Sequence, residues 1–147
     1  MSFVSYYEDI EIGEREEIGS HTFTAEEIKR FAREYDPQSF HVDEAAAARS
    51  HFRGLIASGW HTGSVWMGLA VRHRDKVAAA RRARGEPVAE LGPSPGFREL
   101  KWLKPVYAGD TITYSAEVVD KRCSASKPRW GIVRYRNTGA NQKGELV

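Results

Sequence analysis

The sequence predicts an α+β fold in which one antiparallel sheet curls around one long central helix. Three observations carry this expectation. Over residues 111–119, Ile112, Tyr114, Ala116 and Val118 alternate with Thr111, Thr113, Ser115 and Glu117, the period of a strand with one buried face. From Trp60 to about Arg84 the pattern is helical, and its first half is apolar nearly all round (Val65, Trp66, Met67, Leu69, Ala70, Val71), which predicts burial. Turn signals at Ala108-Gly109-Asp110 and across 120–129 separate the strand candidates, so neighbouring strands run antiparallel.

Residues 1–17 carry Tyr6, Tyr7, Ile10 and Ile12 without a sustained period and read as an ordered arm. Ile18 to Phe23 is a strand leading into a helix at Thr24. Thr24 and Glu27 there have capping-box spacing, so each side chain can satisfy a free backbone donor. Ile28, Phe31, Ala32 and Tyr35 form the apolar face of that helix, and Pro37 disfavours the α conformation at Asp36, ending it. Asp43 reads as the N-cap of a second short helix, Glu44 to Arg49, with a break at Arg53 and Gly54. In the long helix Gly63, Ser64 and Gly68 lower intrinsic propensity, by about 1 kcal/mol per Gly, a cost that close packing of a sheet offsets. Between Gly85 and Gly96, Pro87, Gly92, Pro93 and Pro95 make a loop. Strands are expected over Phe97 to Leu103, Thr111 to Val119 and Trp130 to Arg136. Asn141 to Gly144 is one more turn, leaving only Glu145, Leu146 and Val147 for a terminal strand.

Composition bounds the function. With 147 residues, 41% hydrophobic and 29% charged, the chain suits a single domain spanning 1–147. No apolar run approaches the length of a membrane span and no basic-then-apolar N-terminus marks a secretory signal, so a cytoplasmic protein without membrane association is expected. Cys123 is the one cysteine, in a polar turn, which excludes an internal disulfide and points away from a catalytic thiol. A formal charge of +2 without any nucleic-acid motif gives no reason to expect a DNA or RNA partner. His21, His41, His51, His61 and His73 lack metal-ligand spacing, so no metal and no cofactor are expected. A serine-hydrolase elbow is excluded because Ile56 and Thr62 stand where G-x-S-x-G around Ser58 or Ser64 needs its first glycine.

What remains is chemistry between 35 and 64. Asp36 and His41 lie five apart between two helical patterns, an acid/base pair, and the small-residue turn before the long helix offers a backbone amide for an oxyanion. Without more, a helix-ending Asp-Pro and a surface His would explain the same residues. Asp36-Pro37-Gln38-Ser39-Phe40-His41, followed by Gly54-Leu55-Ile56-Ala57-Ser58-Gly59, resembles the hydratase signature of MaoC-like dehydratases, the (R)-specific enoyl-CoA hydratase family. Pro105-Val106-Tyr107-Ala108-Gly109-Asp110 extends the resemblance, which runs from about Tyr6 to the C-terminus. Where that family's motif reads Asp-x-Asn-Pro-x-His, often after Gly, this chain has Tyr35, Gln38 and Ser39.

The resemblance implies a hotdog fold and addition of water to, or its removal from, an enoyl or 3-hydroxyacyl thioester such as an acyl-CoA. It assigns Asp36 and His41 to the water, leaving open which takes the proton, and the Gly59 amide to the thioester oxygen. Ser58, where relatives often have His, together with Trp60 and Ser64 are the expected substrate-contacting residues. Ser64 can equally bond back to a helix carbonyl. Arg72, Arg74, Lys76, Arg81, Arg82 and Arg84 either form a solvated helix end or meet coenzyme A phosphates. A homodimer or higher even oligomer is implied as well. The alternatives are a non-catalytic module that binds acyl thioesters and a hotdog thioesterase, since fold does not fix function.

Overall fold

A computed structural model describes residues 2–147. Short 3-10 turns at Ser2–Val4 and Tyr7–Asp9 make the N-terminal arm. Then follow β1 (Arg15–Thr22), α1 (Ala25–Tyr35), α2 (Ser39–Val42), α3 (Glu44–Arg49), α4 (Gly59–Ala83), β2 (Thr111–Cys123) and β3 (Gly131–Ala140). The sheet is antiparallel in the order β1-β2-β3.

On β2 the residues Ile112, Tyr114, Ala116 and Val118 are all buried, so the period-2 pattern marks the face turned to the core. Phe23, Ile28, Ala47, Leu55, Ala57 and Val106 join it. Fully burying each larger side chain among these contributes about 1.5–3 kcal/mol. α4 lies against β1 at its centre. Gly19, with φ +135°, sits at a register shift in β1 where an added Cβ would come within 3.2 Å of Leu69 Cδ2. Glycine there serves both the backbone angle and the close approach of helix to strand. From the sheet, the buried Tyr114 hydroxyl donates to the Thr62 carbonyl at 3.0 Å, fixing the first turns of α4.

Local signals explain the helix ends. The Thr24 hydroxyl accepts from the Glu27 amide at 3.3 Å and donates to the Glu27 carboxylate at 3.1 Å, so the pair closes hydroxyl to carboxylate. Asp43 Oδ1 accepts from the Ala46 amide at 2.8 Å, the expected N-cap of α3. At the far end of α4, Arg81 and Arg84 are tied to Glu86, and Arg74 to Asp75.

Two expectations are corrected. Phe97 to Leu103 is not a strand: every residue from 91 to 104 is exposed, and Glu99, at φ +55°, breaks the extended run. The apolar first half of α4 is not enclosed on all sides within one chain. Trp66, Leu69 and Ala70 pack on the core, whereas Trp60, Met67 and Val71, at 57%, 50% and 37% exposure, form an open face. The terminal strand is reduced to a single bridge between Ala140 and Leu146.

Candidate active site

The chain after α3 runs extended through Leu55-Ile56-Ala57 and is clamped to the stretch before β2. The Ala57 amide donates to the Val106 carbonyl at 2.8 Å and the Ala108 amide to the Leu55 carbonyl at 3.0 Å. In an extended segment alternate residues face opposite sides, so the polar groups of Ile56 are turned the other way, toward α2. The Ile56 amide donates to the Phe40 carbonyl at 3.3 Å, and the Ile56 carbonyl lies 2.7 Å from His41 Nδ1. A carbonyl only accepts, so His41 carries its proton on Nδ1 and presents Nε2 on the other side of the ring.

That Nε2 faces Asp36. The acid follows the last turn of α1, where its amide still donates to the Ala32 carbonyl at 2.9 Å while φ −155° and ψ 70° take it out of the helix. His41 Nε2 is 3.3 Å from Asp36 Oδ2. The expected loop between the acid and the imidazole contains a helical turn, α2, and that turn brings the two together. Asp36 Oδ2 also accepts from the Ser58 hydroxyl at 2.7 Å, and Oδ1 from Gln38 Nε2 at 2.8 Å. Burial works to raise the Asp36 pKa, but the Ser58 and Gln38 donors and the neighbouring His41 outweigh it and hold the carboxyl below its usual range.

Ser58 is 1% exposed and is the N-cap of α4, accepting from the Trp60 amide at 3.3 Å. Its hydroxyl is therefore committed on both sides. Gly59 is the first residue of α4, where an amide has no intrahelical acceptor and the helix dipole adds positive character. The Trp102 indole lies against it so closely that any Cβ at position 59 would overlap the ring. Trp60 meets Trp102 edge to face, centroids 6.0 Å apart. Ser64 donates back to the Trp60 carbonyl at 2.7 Å on the exposed side of the helix. Carboxylate, imidazole and helix N-terminus thus converge, with two tryptophans beside them.

Several of these contacts were not expected. Gln38 was a motif departure, Ile56 acts through its backbone, and Trp102 stands in the segment read as a strand. A second polar group lies along α1: His61 of α4 is buried against Phe31 and Phe23, with Glu27 and His21 beside it, lining a groove of about 390 Å³. Among the described residues no group of three or more His, Cys, Asp or Glu is placed to hold a metal ion. No helix among them is long and apolar enough to cross a membrane.

The chain has relatives among known proteins. Residues 11–141 match the family model of the MaoC like domain. A MaoC-like dehydratase from Rhodospirillum rubrum superposes with a TM-score of 0.77 at 36% identity, covering 95% of this chain and 88% of that one. The (R)-hydratase from A. caviae involved in PHA biosynthesis superposes with a TM-score of 0.59 at 27% identity, covering 95% and 91%. A mesaconyl-CoA hydratase of Cereibacter sphaeroides is 32% identical over 84 residues, which are 54% of this chain and 24% of that protein.

Proposed function

The chain belongs to the MaoC-like dehydratase family and has the hotdog fold, and from that premise we propose that it is a hydratase/dehydratase of enoyl and 3-hydroxyacyl thioesters, acyl-CoAs in the first place. The observation that carries the reading is the Asp36–His41 contact beside the N-terminus of α4. With Nδ1 turned to the Ile56 carbonyl, His41 presents Nε2 to the Asp36 carboxylate at 3.3 Å. In this reading the reacting water enters beside the pair and donates a hydrogen to His41 Nε2.

In the hydration direction, the water oxygen bonds to the β-carbon as its proton passes to His41 Nε2. Asp36, held ionised by Ser58 and Gln38, stabilises the imidazolium. Electron density moves onto the thioester oxygen, where the Gly59 amide and the helix dipole receive it. Collapse of the enolate takes the proton from His41 to the α-carbon, and the histidine ends as it began. In this reading Trp60, Trp102 and Ser64 touch the acyl thioester. The named hydratases among the relatives, one of an acyl-CoA, support the substrate class.

The working form in this reading is a homodimer. One face of α4 exposes Trp60, Met67 and Val71, and Phe97, Leu100 and Leu103 are exposed on the loop that carries Trp102. Exposed apolar side chains of this kind call for a partner, and β3, with β2 on one side, is an outer strand bridged by Leu146 at its end.

A spectrophotometric screen of enoyl-CoAs of several chain lengths, following loss of the conjugated thioester, tests the activity directly. Asp36→Asn and His41→Gln are expected to fold and to lower hydration by at least ~10²-fold. Turnover in both variants equal to the parent's would refute the assignment. Binding of acyl-CoA with no turnover in the parent would replace the enzyme with a binding module.

A further inference from the structure

We propose that Ser58 is a positioning residue, whose hydroxyl couples the Asp36 carboxylate to the first turn of α4 and so sets the carboxylate, and the imidazole facing it, relative to the Gly59 amide. The inference rests on the hydratase reading for its consequence in turnover, but its structural content stands apart from it.

A serine hydroxyl has one proton to give, and Ser58 gives it to Asp36 Oδ2 at 2.7 Å while its lone pairs accept from the Trp60 amide at 3.3 Å. A residue 1% exposed has no solvent with which to exchange these partners, so the orientation of its O–H bond is fixed. Asp36 lies outside α1 and is followed by proline, so the backbone of α1 alone does not restrain its side chain. The restraint comes from Gln38 on one oxygen and Ser58 on the other. Gln38 is an exposed side chain on the same short segment, whereas Ser58 belongs to the element that also carries Gly59. The Ser58 bond therefore ties the carboxylate directly to the first turn of α4. His41 is the titratable group facing the carboxylate, and it is anchored separately, on the Ile56 carbonyl.

Capping and positioning are separable by substitution, because glycine is nearly as good an N-cap as serine while alanine is poor. Ser58→Gly removes the hydroxyl and largely keeps the cap; Ser58→Ala removes both; Ser58→Thr keeps both bonds. Two readouts are taken on each variant, kcat and KM for hydration of crotonyl-CoA, and the titration of the Asp36 carboxyl carbon by NMR. The expected result is a roughly tenfold or larger fall in kcat for the Gly and Ala variants alike, the loss of one hydrogen bond to a charged group. KM should stay within about twofold, the mark of an interaction that matters in the transition state, and the threonine variant should recover toward the parent. In both hydroxyl-less variants the Asp36 titration moves up toward the ordinary carboxylate range. A glycine variant that turns over and titrates like the parent overturns the proposal and leaves Ser58 a cap. If the parent shows no hydration, the hydratase reading fails, and the NMR titration alone decides whether Ser58 holds the carboxylate: an upward shift sustains it and none refutes it.

Discussion

His61→Leu is expected to flatten the acid side of the stability profile. The imidazole is 7% exposed, stacked on Phe31 at 4.6 Å with a 6° interplanar angle and set edge-on to Phe23 at 5.0 Å. Its Nδ1 is buried without a hydrogen-bond partner among the described residues, and its Nε2 is 3.8 Å from Glu27. Burial drives the His61 pKa down to about 4 from 6.5, with Glu27 pulling it back and His21 and Arg30 pushing it further down. The folded protein thus keeps His61 neutral where the unfolded chain protonates it. When the unfolded state binds more protons, stability rises with pH, so it falls as pH drops from 6.5 and the loss is complete near 4. Integrated between pH 7 and pH 5, the linkage relation gives a loss of about 2 kcal/mol from this one group. The depressed carboxyls of Glu27 and Asp36 lose their contributions as pH falls through the ordinary carboxylate values of 4.5 and 3.8 and below, so His61 acts ahead of them. Leucine forfeits the ring stack, about 0.5–1.5 kcal/mol, but does so equally at every pH. Urea unfolding of parent and variant at pH 7 and pH 5, at one protein concentration, measures the difference between the two slopes. Parallel losses in the two proteins would refute the claim that His61 is buried neutral.

Gly59→Ala places a methyl group where the Trp102 ring already lies, so the loop must move or the first turn of α4 must shift. Overpacking of this kind costs about 1–3 kcal/mol; hydration should fall with it, and tryptophan fluorescence should report the displaced indole, whereas an unchanged emission and rate would mean that Trp102 does not lie on the glycine. Sedimentation equilibrium over a wide concentration range is expected to show a dimer, and a monomer with full hydratase activity would sink the interface while leaving the Asp36/His41 pair intact.

Much of the fold was legible because its signals are local. The alternation on β2 survives into the structure since one face is buried and the other is not, and Thr24 and Asp43 announce helix starts through short-range caps. Phe97 to Leu103 was misread for the complementary reason. A run rich in apolar residues satisfies the strand pattern, but a strand also needs a partner edge, and composition says nothing about whether one is in reach. Within this chain the segment is exposed and kinked at Glu99. The apolar surround of α4 was read as demanding burial all round, yet the chain covers only one side of it. A helix pattern states how much surface must be covered and not by which molecule.

The site divides along the same line. Asp36 and His41 stand close in sequence, and the resemblance singled them out as an acid/base candidate; what turns them toward each other could not be read there. His41 is oriented by a backbone carbonyl 15 residues on, which any residue at position 56 would present, and Asp36 by a hydroxyl 22 residues on. Both anchors depend on the clamp between 55–57 and 106–108, which faces the Ile56 carbonyl toward α2 and delivers Ser58 to the start of α4. The chain of contacts from the Ile56 carbonyl through His41, Asp36 and Ser58 to the Trp60 amide is therefore continuous. Shifting that clamp by one residue would turn the 56 carbonyl away from His41 and free the imidazole to rotate, so the backbone register here is as much a condition of the proposed chemistry as the acid and the base.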